Sequence, residues 1–299
     1  MANIKRLTKY SAIMGENDEP VNEFKSFMQE FDDHKNCLKE VEYAPNGEME
    51  SASAYKYNDQ YKMIAEVHYF EKDEVGETIK YKLDEEGKPV EIETTYADNG
   101  KSIKKITRTE SLLTVKTFDE DGEAEGEETI KYDNKNRPIE ELQIDEDGDI
   151  VQRSVYEYDD SDQIINRTDY GAKDEFLVST IFEYDNAGNM VKRLQLSKKG
   201  KLIASNIYEF DKNGNRILVQ NNHHLLRTAY DDKNRIVSEE TVNRSNNLVE
   251  GFTEYKYGDH DLVIEERTFE MSNSNQQDAL SFGGTAANLL LTRYEYEFY

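Results

Sequence analysis

The sequence predicts an all-β chain: a long antiparallel up-and-down meander of about 20 short strands, built from 26-residue two-strand repeats, in an elongated sheet that twists or curls. Three observations predict it. An aromatic-x-aromatic-Asp stamp recurs at Tyr156–Asp159, Phe182–Asp185 and Tyr208–Asp211, each 26 residues after the last. Four residues after most aromatic anchors stands Gly, Asn or Asp, the types that tolerate φ > 0. The segments between, such as IVQRSVYEY, FLVSTIFEY and KLIASNIYEF, are rich in β-branched and aromatic residues.

Each element can be justified in chain order. NEFKSFMQEF comes nearest to a helical i, i+3, i+4, i+7 stripe, but it ends on Phe31, an anchor of the 26-residue register, and is therefore read as strand. Anchors follow at Tyr43, Tyr57, Phe70, Leu83 and Tyr96, with turn residues Gly47, Gly87 and Gly100. After one short step of 23 residues from Leu83 to Ile106, the series runs Phe118, Tyr132, Ile144, Tyr158, Tyr170, Tyr184, Leu196 and Phe210. Their turn residues are Gly122, Asn136, Gly148, Asp162, Asp174, Gly188, Gly200 and Gly214. Tyr230, Asn243 and Tyr257 complete it, with Asn234, Asn247 and Asp261. Such a residue closes a type I turn with a G1 bulge, and the preceding Asp or Asn suits the turn's start. Lys35 and Tyr61 occupy two of these places and break the rule. Pro20, Pro45, Pro89 and Pro138 lie at or beside turns. Tight turns make neighbours antiparallel, and this spacing excludes a helical solenoid.

Residues 1–270 form the repeat domain, and 271–299 a separate C-terminal segment. Its first part, MSNSNQQDALSFGGTAANLLL (Met271–Leu291), reads as a long low-charge loop. The closing LTRYEYEFY reads as a last strand with Tyr294, Tyr296 and Phe298 on one face. In an open sheet this strand is an edge that invites pairing. Tyr294, Tyr296, Phe298 and Tyr299 are therefore the candidate partner-binding residues, for self-association or for another protein. The alternatives are that the strand packs inside a curled sheet or pairs with the first strand.

Alternation places Tyr156 and Tyr158 on one face and Val155 and Glu157 on the other. One face carries an aromatic and aliphatic ladder, with Ile164 or Met190 filling gaps from the strand between. The other mixes shorter apolar groups with charge. An open single layer of this strand count is about 100 Å long. A closed barrel has a wide lumen. A lipid-embedded barrel fails, because EETIKY and VEIETTY offer no apolar outer band. The elongated sheet is favoured.

The chain has 299 residues, 36% hydrophobic and 33% charged, too little apolar matter for a thick core. Its 20 Tyr and 12 Phe argue for order. A net charge of −26 disfavours nucleic acid and anionic membranes and favours a basic protein partner; it also keeps a sheet solvated. The single cysteine, Cys37, forms no disulfide within the chain. The start shows no apolar signal core, and no stretch reaches the ~18 apolar residues of a spanning helix. A cytoplasmic location is the default, with signal-independent export left open.

No catalytic residue, cofactor site or metal site is assigned. His34, His68, His223, His224 and His260 read as surface or loop residues, and Cys37 as a structural thiol. No nucleophile elbow, zinc signature, P-loop or dinucleotide fingerprint occurs. The acidic turns Asp119–Glu127 and Asp145–Asp149 have carboxylates for calcium, but lack EF-hand spacing and are explained by turn chemistry.

FEYDNAGNMVK, YEFDKNGNRILV, IKYDNKNRPIEE and AYDDKNRIVSEE resemble the YD repeat of Rhs proteins and toxin-complex shell proteins, most clearly over residues 130–260. In that family the repeats form a spiralling β-sheet shell around a toxin. The resemblance implies a β-meander and bacterial toxin or injection-system biology. This chain is far shorter, shows no autoproteolytic core segment and is not expected to enclose a folded domain by itself. The expected function is a non-enzymatic structural or interaction protein presenting an acidic β-surface, as component, adaptor or cargo of a toxin-delivery or phage-tail-like assembly. The alternatives are an immunity- or chaperone-type protein binding a basic toxin, and a carbohydrate- or calcium-binding module.

Overall fold

The computed structural model describes residues 3–15, 19–71, 74–271 and 287–299. The strands are β1 (Ile4–Met14), β2 (Pro20–Phe31), β3 (Cys37–Tyr43), β4 (Met49–Tyr57), β5 (Met63–Glu71), β6 (Glu74–Leu83), β7 (Pro89–Tyr96), β8 (Lys101–Arg108), β9 (Leu112–Phe118), β10 (Ala124–Tyr132) and β11 (Pro138–Asp145). They continue as β12 (Ile150–Tyr158), β13 (Ile164–Tyr170), β14 (Phe176–Tyr184), β15 (Met190–Leu196), β16 (Leu202–Phe210), β17 (Arg216–Gln220), β18 (His224–Tyr230), β19 (Ile236–Asn243), β20 (Val249–Tyr257), β21 (Val263–Met271) and β22 (Ala287–Phe298). NEFKSFMQEF lies within β2, as its register implies. Most of the expected C-terminal loop falls outside the described residues, and residues 287–291, assigned to it from sequence, begin β22 instead.

All 22 strands belong to one sheet, and that sheet is closed. β22 pairs with β21 on one side and with β1 on the other, from Ile4↔Phe298 to Ile13↔Leu290. The elongated open sheet of about 20 strands, twisted or curled, is thereby corrected to a closed 22-stranded antiparallel barrel. The physical reason lies in the end strands, of 11 and 12 residues. Left as edges, each would expose a long row of unmet main-chain donors and acceptors. Pairing them satisfies both rows.

Many of the hairpin turns share one construction, and DNAG at Asp185–Gly188 illustrates it. Asp185 Oδ1 accepts the main-chain N–H of Ala187 and of Asn189, both at 2.9 Å. Gly188 N–H donates to the Asp185 carbonyl, and Gly188 sits at φ 86°. The register then shifts just before the stamp's last aromatic, as between Glu183 and Tyr184, which is the bulge of the expected turn. Lys35 and Tyr61 do not break the construction: they adopt φ 71° and 58° without being glycine. At Tyr96–Gly100 the left-handed residue is Asn99 at φ 70°, one place before the expected Gly100.

The chain packs as two units, Met1–Ser53 with Phe70–Lys72 and Ile207–Tyr299, and Ala54–Tyr69 with Asp73–Asn206. In the first, the deepest apolar burial lies at the seam between the ends: Leu291 is 2% exposed and sits opposite Ala12. In the second, the deepest side chains are polar. Ser154 and Thr180, 26 residues apart, are each 2% exposed. Ser154 Oγ donates to Asp169 Oδ1 at 2.7 Å, and Arg167 donates to both residues.

Candidate interaction surface

The stamp's two aromatics have separate tasks. The last one donates its hydroxyl to a main-chain carbonyl at the start of the neighbouring strand. Tyr158 reaches Pro138 O at 2.6 Å, Tyr184 reaches Ile164 O at 2.9 Å and Tyr257 reaches Ile236 O at 2.7 Å. The first one meets a carboxylate. Tyr255 donates to Glu239 and Tyr81 to Glu66. Burial, then the bond to Glu141, pushes the Tyr156 hydroxyl up to about 12. Burial and their glutamates also raise Tyr81, Tyr255 and Tyr294 well above the usual phenol value. The expected ladder is present at its outer rung, where Tyr158 lies opposite Ile164 and Tyr184 opposite Met190. Its inner rung is a tyrosine–carboxylate row, which alternation alone did not reveal.

The opposite face carries cross-strand ion pairs. Lys131 lies opposite Glu140 and reaches it at 2.5 Å. Lys192 meets Glu183 at 2.7 Å, Arg227 meets Glu240 at 2.8 Å and Lys256 meets Glu265 at 2.6 Å. Each exposed pair contributes little to stability, but together they cancel much of the strand charge.

The turns behave differently. In some, an acidic residue at the left-handed position is tied to the basic turn one repeat earlier: Lys135 and Arg137 hold Asp162, and Lys233 and Arg235 hold Asp261. In others the acid is unmatched. The turns Asp119–Glu123 and Asp145–Asp149 each carry four carboxylates. Asp119 and Asp145 accept the N–H groups of their own turns. No ion pair among the described residues engages Glu120, Asp121, Glu123, Glu146, Asp147 or Asp149. These turns lie at the same end of the sheet, two strands apart or about 10 Å.

The sequence-derived candidates fall as follows. Tyr294 lies opposite Lys9 and donates to Glu266 at 2.7 Å; Tyr296 donates to Val263 O at 2.8 Å. Phe298 lies opposite Ile4 and against His260, and Tyr299 donates to Phe31 O. The free edge of an open sheet is absent, and the alternative pairing with the first strand is the one found: β22 pairs with β1 from Ile13↔Leu290 to Ile4↔Phe298 and with β21 over Ala287–Arg293, so Tyr294, Tyr296 and Phe298 lie in the stretch paired with β1. His68 lies beside Glu66 at 3.3 Å, and His224 beside Glu250 at 3.0 Å. Burial, first of all, raises the Cys37 thiol. Asp32, Asp33 and His34 place ligand-type atoms within 4.8 Å of one another. The Asp32 carboxylate is already occupied by His34 N–H, Asn36 N–H and the Asn36 amide.

No protein-family profile matches the chain, and no curated protein does. Among solved structures 51 chains match. The crystal structure of TcdB2-TccC3-Cdc42 aligns over 83% of this chain at 10% identity and a TM-score of 0.41. The chain spans 15% of that one. A porin-like protein from Bacteroides uniformis ATCC 8492 aligns over 98% of both chains at 9% identity and a TM-score of 0.33. Another, from Bacteroides vulgatus ATCC 8482, aligns over 99% of both at 10% and 0.21. At such TM-scores these likenesses carry no weight for the function of this chain.

Proposed function

We propose that the protein is a non-enzymatic interaction protein whose acidic hairpin turns bind a basic protein partner in a toxin-delivery or phage-tail-like assembly. The observation that carries this reading is the division of charge. On the strands Lys131, Lys192, Arg227 and Lys256 each have a carboxylate opposite them, whereas the turns Asp119–Glu123 and Asp145–Asp149 hold a block of acid that no ion pair among the described residues engages. Clustered unmatched charge on rigid hairpins accelerates encounter with an opposite surface. The assembly is suggested by the YD-like repeats of residues 130–260.

The test is affinity capture from the native host at about 0.05 and 0.5 M salt, followed by mass spectrometry. It uses the natural chain and a variant with Glu120→Gln, Asp121→Asn, Glu123→Gln, Glu146→Gln, Asp147→Asn and Asp149→Asn. Asp119 and Asp145 stay, because they build the turns. The expected result is a basic partner recovered at low salt, lost at high salt and lost by the variant, with an association rate that falls steeply as salt rises. A partner retained equally by the variant would overturn the reading.

A further inference from the structure

Three consecutive hairpins at one end of the second unit share an arrangement that the turn chemistry does not require. They are β11–β12, β13–β14 and β15–β16. At the start of β12 and of β14 the register shifts opposite Ile144 and Tyr170. A bulge there sets two consecutive residues against one and turns both to the same face. Near these hairpin starts four apolar residues are open. Val151 is 42% exposed, Leu177 53%, and Leu202 and Ile203, which stand 26 residues after Phe176 and Leu177, are 52% and 53%. Ile144 and Tyr170 lie opposite these shifts, Tyr170 with the Arg153 guanidinium over its ring at 4.2 Å. Six strands at about 4.8 Å make this strip roughly 24 Å long. The next hairpin in the same unit presents Ala124 and Glu125 instead, so the strip ends there.

Its rim is graded in charge. The β11–β12 turn, Asp145–Asp149, carries four carboxylates. In the β13–β14 turn, Asp174 is bound by Arg153 at 2.7 and 3.0 Å, while Lys173 and Glu175 offset each other. The β15–β16 turn, SKKGK, carries Lys198, Lys199 and Lys201, which no ion pair among the described residues engages. The acidic and basic turns lie four strands apart, about 19 Å.

We propose that this strip is a self-association surface, on which a second copy of the chain docks about a two-fold axis near Tyr170 and Leu177. Only that antiparallel placement sets the lysine turn of each copy against the carboxylate turn of the other while the apolar rows cover one another. An isologous interface needs this self-complementarity. The net charge of −26 opposes association, but charges beyond about 8 Å are screened at physiological salt. That opposing charge makes the dimer weak and concentration-dependent. This inference goes beyond the proposed function and does not depend on it.

The test is sedimentation velocity on the full chain in 0.15 M salt, from about 1 µM to 1 mM. Four samples are compared with the natural chain: Leu177→Asp with Ile203→Asp; Lys198→Glu, Lys199→Glu and Lys201→Glu together; Glu146→Lys, Asp147→Lys and Asp149→Lys together; and an equimolar mixture of the two charge variants. Circular dichroism and melting confirm that each variant folds, which the exposure of these sites favours. Dimerisation of the natural chain is expected, weakened at least about tenfold in each variant alone. The mixture is expected to recover a dimer, although both charge variants remain strongly anionic. A natural chain that stays monomeric throughout, an unchanged Leu177→Asp/Ile203→Asp variant, or a mixture no better than its components would each overturn the proposal.

Discussion

Replacing the stamp's last tyrosine by phenylalanine at Tyr158, Tyr184, Tyr257 and Tyr296 deletes four hydroxyls and leaves every ring. Each hydroxyl donates to the carbonyl that opens the neighbouring strand: Pro138, Ile164, Ile236 and Val263, at 2.6 to 2.9 Å. All four bonds are partly buried, and a net contribution of about 1 kcal/mol each is expected. The sites lie two or more strands apart, so their effects add to about 4 kcal/mol. An unfolding entropy of about 2.1 cal/mol/K per residue over 299 residues is about 0.6 kcal/mol/K, which converts the loss to about 6 °C in Tm. Phe210 occupies the same place in its repeat and lacks the hydroxyl, so the ring alone satisfies the fold. Thermal melts by circular dichroism test this, with the four single variants at about 1.5 °C each. A quadruple variant within 1 °C of the natural chain would show that the hydroxyls are incidental. A collapse of the fold would show that they are structural in a way one hydrogen bond each does not explain.

Three further outcomes are expected. Lys35→Gly and Tyr61→Gly should each stabilise by about 0.5–1 kcal/mol, because left-handed backbone at φ 71° and 58° costs a side-chain-bearing residue more than glycine's added chain freedom does; melting checks it, and a loss of stability would refute it. Gly126→Ala should destabilise by about 1–3 kcal/mol, since the new methyl would stand 2.7 Å from the Ile144 carbonyl oxygen, a main-chain atom that cannot step aside, and an unchanged melting curve would contradict this. Hydrogen bonds from Arg137, Asn189, Asn215 and Arg235 lower the carboxyls of Asp133, Asp185, Asp211 and Asp231 below the usual value. Folded values below the unfolded ones give stability that is full above about pH 4 and lost as pH falls through the folded values, so Tm should drop steeply only below about pH 4, and less so in Asp185→Asn.

Much of the fold is legible because it is local. The Asp and the left-handed residue lie three positions apart, and their hydrogen bonds close within five residues, so DNAG or DKNG specifies a turn before any long-range contact forms. The position four residues after the aromatic held even at Lys35 and Tyr61, where residue type argued against it. At Tyr96–Gly100 residue type misled, because Asn99 takes the left-handed backbone and Gly100 does not. The candidate surface was harder to read. The acidic turns are visible in sequence, but whether a cation neutralises them depends on side chains some 26 residues away. Asp162, held by Lys135 and Arg137, and Glu146, held by no ion pair among the described residues, are both acidic turn residues in the chain. The tyrosine–carboxylate row was missed for a related reason: Tyr255 and Glu239 are 16 residues apart on different strands.

Closure, the alternative to the favoured elongated sheet, has a signal at the two end strands. LTRYEYEFY is an unprotected aromatic edge only in an open sheet, and the alternative, pairing with the first strand, is the one found; natural edges are short, charged inward or interrupted by proline. β22 is none of these: it runs 12 residues, longer than most strands of the repeat. β1 is likewise long, and within it Arg6 has carboxylates to match on both sides, Glu30 at 2.8 Å and Glu297 at 2.8 Å. A side chain bridged to both neighbours belongs to an interior strand. A meander whose first and last strands both lack edge protection has one economical arrangement, in which they protect each other. The pairs Ala12↔Leu291 and Thr8↔Glu295 at that seam place three of the most buried side chains of the first unit, Ala12, Leu291 and Thr8, where an open sheet would have had its frayed ends.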